Sequence, residues 1–234
     1  YALARQSFGG TIRLVEHFRC VPDIIQFSNK MCYGGEIKPL GEASASPFTP
    51  HLIAHRVEGA VENNKINKKE ALELVSLVLA VTRLDEYQDS TIGVISMVGT
   101  QQAVYIDSIL RRRLTVSEYQ RRRVLCGNAS QFQGDERDVI LVSIGYGRAE
   151  DGRVDLNFGP LNREGGERRL NVLITRARRR CEVFTNMTED DIDLERTNSQ
   201  GVRALRTFLA FAHRGVLESE AAEGASGGAA EQAT

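Results

Sequence analysis

Two arginines and one glutamate carry the chemistry that this sequence offers. Arg176 stands in the block Asn171-Val172-Leu173-Ile174-Thr175-Arg176-Ala177-Arg178, and Glu136 follows Gly134 in Phe132-Gln133-Gly134-Asp135-Glu136-Arg137-Asp138-Val139-Ile140. Arg19 lies in a third block, Glu16-His17-Phe18-Arg19-Cys20-Val21-Pro22. Phosphoryl transfer spreads negative charge over the oxygens of the migrating phosphate, and a guanidinium meets those oxygens with fixed, always-charged donors. Arg19 and Arg176 are therefore the candidate catalytic residues, and an arginine supplied across a cleft raises turnover by ~10³ to 10⁵. Gly134 permits positive φ or close backbone approach, and Glu136 can accept from a ribose hydroxyl or a bridging water. Together these residues would supply half of a nucleotide site. No Gly-x-x-x-x-Gly-Lys-Ser/Thr loop occurs, nor any Gly-Lys dipeptide, so the chain cannot by itself cradle a triphosphate in the usual way.

These residues need rigid elements to hold them, and the hydrophobic pattern supplies a series. Thr11 to Phe18 alternates like a strand, and Pro22-Asp23-Ile24-Ile25-Gln26-Phe27 opens a helix with proline in the first turn. Gly41 to Pro50 reads as a loop and His51 to Val57 as a strand. Asn67-Lys68-Lys69-Glu70 has the form of a capping box, Glu70 reaching back to Asn67, ahead of a helix from about Lys68 to Arg83. Thr91 to Met97 is a short buried strand, followed by an amphipathic helix carrying Val104, Ile106, Ile109, Leu110 and Leu114. Val124 to Cys126 and Val139 to Ile144 are further strands, Glu167 to Arg179 a helix, Cys181 to Phe184 a last strand and Val202 to Phe211 a terminal helix. Short apolar strands separated by helices predict a doubly wound, mostly parallel α/β sheet covered on both faces. Residues 1–216 form one domain on this reading, and 217–234, rich in Ala, Glu, Gly and Ser, a disordered tail or linker.

Composition narrows the class. The 234 residues carry a net charge of -1, but the last nineteen hold four glutamates and no Lys or Arg, leaving the remainder at 30 basic against 27 acidic residues. That permits nucleic acid without marking a strongly basic binder. Four dispersed cysteines without Cys-x-x-Cys spacing argue for reduced thiols and against a zinc site. No apolar run approaches the ~18 residues that cross a bilayer, and no signal peptide opens the chain. A cytoplasmic protein without a membrane partner is expected. The opening at Tyr1, without an initiator methionine, suggests a piece of something longer.

Asn171 to Arg178 resembles motif VI of superfamily 1 helicases, and Phe132 to Ile140 resembles motif V. Glu16 to Pro22 is similar to the Gln-Tyr-Arg-Met-His-Pro motif of the branch that includes the nonsense-mediated-decay helicases. Ile95-Ser96-Met97-Val98-Gly99-Thr100-Gln101 stands where that branch has Ile-Thr-Pro-Tyr-x-x-Gln. Four blocks in family order, from Leu14 to Phe184, imply the second, RecA-like domain of an ATP-driven helicase. The phosphate loop and the magnesium-binding acid would belong to an N-terminal RecA-like domain of the same protein. Phe158 to Gly166 resembles large bacterial members, some with a nuclease-like domain after the helicase.

The resemblance implies ATP and Mg²⁺, held mainly by the other domain, and single-stranded nucleic acid as partner, DNA before RNA. Gly134, Glu136 and Gln133 would face the nucleotide, Gln133 coupling it to the nucleic-acid face. Ser96, Gln101 and Arg178 are the nucleic-acid candidates, although Met97-Val98 replaces the Pro-Tyr that touches nucleic acid in relatives. No metal ligands are expected. Arg178, Arg179 and Arg180 can equally be a solvated basic face continuing the motif VI helix, as can Arg111-Arg112-Arg113 and Arg121-Arg122-Arg123. Asp85-Glu86-Tyr87-Gln88-Asp89 mimics a magnesium-binding acidic motif but reads as a polar helix-to-strand connection. His51 and His55 read as structural. The expected activity is ATP-dependent helicase action by the full-length protein, with this fragment alone inactive. The alternatives are a non-catalytic nucleic-acid or protein-interaction module, or the translocase part of a nuclease.

Overall fold

Arg137–Ser143 (β6) is the strand around which the rest is built, with all seven residues buried. Val139 and Leu141 enter one core while Ile140 and Val142 enter the other, as a period of two demands when both faces of a sheet are covered. Leu52–Arg56 (β3), Ala177–Thr185 (β7), β6, Ile92–Ser96 (β4) and Leu125–Asn128 (β5) lie side by side in that order, every neighbouring pair parallel. The computed structural model describes residues 14–41, 46–58, 66–97, 99–149 and 151–214.

Lys68–Val81 (α2) and Thr100–Arg113 (α3) pack their apolar stripes on one face. Pro22–Tyr33 (α1), Gly166–Ile174 (α5) and Gln200–Arg214 (α6) cover the other. Phe27 of α1 meets Phe208 and Phe211 of α6 at ring-centroid distances of 5.2 and 5.9 Å, locking the two helices together. A short helix, Val116–Arg121 (α4), leads into β5. From β4 the chain runs outward to β5 at the sheet edge, then returns to β6 on the opposite side of β4. The winding direction therefore reverses between β4 and β6, the place where doubly wound sheets open a crevice at their carboxyl ends.

The expected doubly wound α/β sheet is thus present, with several local corrections. The motif VI helix ends at Ile174 rather than Arg179, and Ala177 to Arg180 belong to β7. Pairing decides this: Ala177 registers with Arg137 and Arg180 with Val139, so a central strand position overrides the helical preference of arginine. Of the Thr11–Phe18 strand, residues 11–13 lie outside the described residues. Beyond them only Glu16–His17 (β1) is extended, paired in parallel with Lys38–Pro39 (β2) and separate from the main sheet. Val104 is 60% exposed, off the buried stripe of α3. Asp85–Tyr87 forms one 3₁₀ turn between α2 and β4, the connection expected there. The tail or linker expected at 217–234 lies outside the described residues.

The capping box is only half realised. Asn67 accepts from the Glu70 N–H at 3.0 Å, but Glu70 reaches back only to the Asn67 side-chain amide, at 3.4 Å, and not to its backbone N–H. Its fully buried carboxylate instead accepts from the Ser143 hydroxyl at 2.5 Å and the Gly145 N–H at 2.9 Å. Gln102 takes the vacated role, accepting from the Asn67 N–H at 3.0 Å and donating to Ser143 Oγ at 3.0 Å. Three elements, α2, α3 and β6, are joined by this network, and burial pushes the Glu70 carboxyl up to about 8.

Candidate functional site

Backbone geometry brings the three sequence blocks to the amino-terminal ends of β6 and β7. The first block is strapped to the α5–β7 turn. Val21 N–H donates to the Arg178 carbonyl at 3.0 Å, and the buried Cys20 thiol donates to the Thr175 carbonyl at 3.5 Å. Burial pushes that thiol up to about 12, so Cys20 is a packing group rather than a nucleophile. Cys20 N–H also donates to His17 Nε2 at 3.0 Å, which fixes the ring as an acceptor there. Burial, then Arg19 and Arg176, hold the imidazole below its ordinary range.

Arg19 and Arg176 are held in different ways. Arg19 Nε lies 2.5 Å from Glu136 Oε2, with both side chains over a third exposed. The Arg176 guanidinium donates to the carbonyls of Val172 at 2.9 Å and Asp135 at 3.2 Å and to Thr175 Oγ1 at 3.3 Å. Among the described residues no carboxylate forms an ion pair with it. Burial, then the neighbouring Arg19, lowers its affinity for its proton. An oriented positive charge without a counterion beside a second guanidinium is a place that favours an anion. Arg178 adds to it, with Nε 3.8 Å from Glu136 and NH1 3.7 Å from Asp138. A hollow of about 120 Å³ lies alongside, lined by Phe18, Arg19, Cys20, Arg178 and Arg179 among others. It is well short of the ~300 Å³ at which small-molecule pockets begin.

Gly134 adopts φ +85, and a Cβ built there would meet nothing within 4 Å, so its requirement is conformational rather than one of close approach. Gln133 is exposed in the turns between β5 and β6. That segment leaves the carboxyl end of β5 and delivers Asp135 and Glu136 to the amino end of β6, and the buried Phe132 anchors its middle.

The three nucleic-acid candidates are not brought together. Arg178 belongs to the arginine cluster. Ser96 closes β4 at the opposite end of the sheet, roughly 20 Å away by strand rise. There it lines a cleft of about 220 Å³ with Met97, Asn128, Leu161, Arg169, Leu170 and Leu173 among its walls. Gln101 is exposed on α3, and its neighbour Gln102 is the buried one. Val98 lies outside the described residues.

The other charged features are occupied structurally. Arg111 pairs with Asp107 at 2.6 Å, while Arg121 and Arg122 pair with Glu118 at 2.8 and 2.7 Å. His51 bonds Asp23 and His55 bonds Glu182, each at 2.6 Å. Among the described residues no cluster of His, Cys, Asp or Glu could hold a metal, and no helix is long and apolar enough to cross a membrane. Sequence reasoning missed the supporting roles of His17 and Asp135, because a ring acceptor and a backbone carbonyl carry no spacing signature. It also missed Gln102, whose only signal was its place beside Gln101.

A family model described as an AAA domain (AAA_12) matches residues 5–188. The chain belongs to this AAA domain family. An uncharacterized ATP-dependent helicase of Mycoplasma genitalium is 30% identical over 200 residues, which is 81% of this AAA-domain chain and 17% of that protein. Its Mycoplasma pneumoniae homologue is 32% identical over 199 residues, again 81% of this chain and 17% of the relative. The AAA domain thus spans 17% of the length of the curated relatives it matches, and it is helicase-like in kind. The C-terminal domain of a possible DNA helicase from Lactobacillus plantarum WCFS1 aligns with a TM-score of 0.41 at 14% identity, over 72% of this chain and 86% of that one. That likeness is too loose to argue from.

Proposed function

We propose that this AAA domain is the second motor lobe of an ATP-dependent helicase or translocase of superfamily 1, of the nonsense-mediated-decay type. Residues 1–216 make up the lobe on this reading, and 217–234 lead out of it. Arg19 and Arg176 act as arginine fingers on an ATP held mainly by an N-terminal RecA-like lobe. The observation that carries this is Arg176 itself: a half-buried guanidinium aimed by carbonyls, unpaired by any described carboxylate, next to a second arginine. Its three acceptors are neutral, so its charge is left uncompensated by any described carboxylate in an ion pair. The guanidiniums fit the oxygens of a terminal phosphate. On this reading ATP and magnesium are bound mainly by the other lobe.

Closure of the lobes would let phosphate oxygens compete with Glu136 for Arg19 while Arg176 keeps its aim, and Glu136 would be freed to accept from the ribose. Hydrolysis would return Arg19 to Glu136. Cycles of closure and opening would then move a single strand, DNA before RNA, across both lobes in the cytoplasm. A nuclease-like domain following the lobe is a further partner on this reading.

The test is steady-state ATP hydrolysis by the full-length protein. Arg176→Ala is expected to lower kcat by ~10³ or more with a smaller change in KM, and Arg176→Lys to rescue little, because an ammonium lacks the planar fork. Turnover by the variant within a few-fold of an active wild type would reject the role, and absence of ATP hydrolysis by the wild type itself would favour a non-catalytic binding module.

A further inference from the structure

We propose that Arg137 is the positioning residue that sets the aim of Arg176. The inference rests on the arginine-finger reading above and adds the part that would hold the finger still. Arg176 grips the start of β6 twice. Its carbonyl accepts from the Arg137 N–H at 3.1 Å, and its guanidinium donates to the Asp135 carbonyl at 3.2 Å. The direction of the guanidinium therefore follows the direction of that carbonyl. The carbonyl belongs to a turn that leaves Gly134 at φ +85, with Gln133 and Gly134 exposed and Asp135 and Glu136 half-buried. A glycine-led turn of this kind does not fix a carbonyl by its own sequence.

Arg137 fixes it. The residue opens β6 and is 6% exposed. Its NH1 donates to the Glu136 carbonyl at 2.7 Å and to the Asp135 carboxylate, and the same carboxylate oxygen accepts from the Glu136 N–H at 2.9 Å. One nitrogen thus closes the turn on both sides of the Asp135–Glu136 peptide. The pairing holds the Asp135 carboxyl below its ordinary range, so the closure is ionic.

The rest of the guanidinium is braced against the sheet. Its Nε donates to the Arg123 carbonyl at 2.8 Å, just ahead of β5, so the side chain crosses β4 to reach it. Gly93 of β4 makes the crossing possible, since a Cβ there would come within 3.1 Å of Arg137 Cγ. Arg123 stands at φ +47, the one non-glycine residue with positive φ among the described residues. Such a conformation persists where its surroundings hold it, and Arg137 is the group bonded to its carbonyl.

These bonds separate Arg137 from the fingers in kind. Its charge is already met by Asp135 and its donors face carbonyls inside the fold, so it acts on phosphate only through Arg176. That indirect role has weight, because misplacing a reacting group by about 1 Å can cost about 10²-fold in rate. Lysine is a poor substitute: a single ammonium lacks the fork that reaches the turn and the Arg123 carbonyl together.

The experiment compares Arg137→Lys, Asp135→Asn, Arg176→Ala and the Arg137→Lys/Arg176→Ala double variant in the full-length protein. Arg137→Lys is expected to lower kcat about 10- to 100-fold with KM within a few-fold of wild type. Affinity for ADP alone should hold, while affinity for ADP with aluminium fluoride, a mimic of the phosphoryl group in transfer, should fall by a similar factor. In the Arg176→Ala background the same lysine should cost less than about threefold more, because the group it positions is gone. Asp135→Asn keeps the acceptor for the Glu136 N–H and weakens only the ionic closure. It should lower kcat several-fold, and it decides the matter if Arg137→Lys does not fold. Wild-type kcat in both single variants, a loss shared equally by ADP and its aluminium fluoride complex, or full additivity with Arg176→Ala would overturn the brace while the fingers stand. Near-normal turnover by Arg176→Ala would overturn the finger reading itself, and the brace with it.

Discussion

Arg19 and Arg176 show what residue types can and cannot announce. That each is an arginine near a strand-like run was readable, and so was the chemistry a guanidinium offers. The pairing of Arg19 with Glu136 was not, because it joins residues far apart in sequence through a turn that only the fold creates. His17 was passed over for the same reason, since its acceptor role depends on the bend at Cys20. That role gives a pH prediction. The folded-state pKa of His17 is depressed, so the unfolded chain binds the proton more readily. Its contribution to stability is present above the ordinary value of 6.5 and is lost as pH falls through the folded value. A glutamine can accept the same bond without titrating. Urea unfolding at pH 7.5 and 5.5 should show wild type losing more stability on acidification than His17→Gln, and an identical loss in the two proteins would remove His17 from the account.

At the scale of elements, strands were legible wherever an apolar run was short and doubly buried, as β4 and β6 are. Boundaries failed where tertiary pairing outvoted local preference, as in the arginine run that β7 takes from the expected helix. The Asn67 cap was readable from its spacing, but the destination of Glu70 was not, because nothing local reveals that Ser143 and Gly145 lie above it. Burial raises the Glu70 carboxyl from an ordinary 4.5 to about 8. The folded protein therefore keeps a proton that the unfolded chain has given up, and this part of the stability falls as pH rises from 4.5 toward about 8. Glu70→Gln, which keeps an acceptor for both donors and cannot ionise, should flatten that fall in urea titrations between pH 5 and 8. Glu70→Ala leaves the Ser143 hydroxyl and Gly145 N–H without this acceptor and should cost about 2–4 kcal/mol near pH 5, a deficit that shrinks toward pH 8 as the wild type loses stability and the alanine variant does not. A wild-type slope matched by Glu70→Gln would show that the carboxyl titrates normally.

For the whole molecule, the arginine cluster and the cleft beside β4 and β5 lie at opposite edges of one sheet, and on the proposed reading a signal has to pass between them. The sequence suggests Gln133 as the link, and Gln133 is exposed in the turns that run from one edge to the other. Asn128 to Ser130 line the cleft, Asp135 and Glu136 hold the arginines, and a single run of chain connects them. Its middle is fixed: Phe132 is fully buried, and a Cβ on Gly93 beneath it would approach the Phe132 ring to 2.9 Å and Ile140 to 2.5 Å. Freedom is left on the Glu136 side of that anchor, where Gly134 turns the chain at φ +85. If the segment couples the sites, strand binding should speed ATP hydrolysis by the ~5- to 150-fold that typical coupling energies give. Gly134→Ala meets no steric obstacle and adds only backbone strain, about 1 kcal/mol, so the lobe should stay folded. Its effect should fall on communication. In full-length protein the ratio of strand-stimulated to strand-free turnover should drop several-fold, while affinity for the strand itself changes little. A preserved ratio would mean that the signal between the two edges travels by another route, through the Glu70–Gln102 network or through the partner lobe.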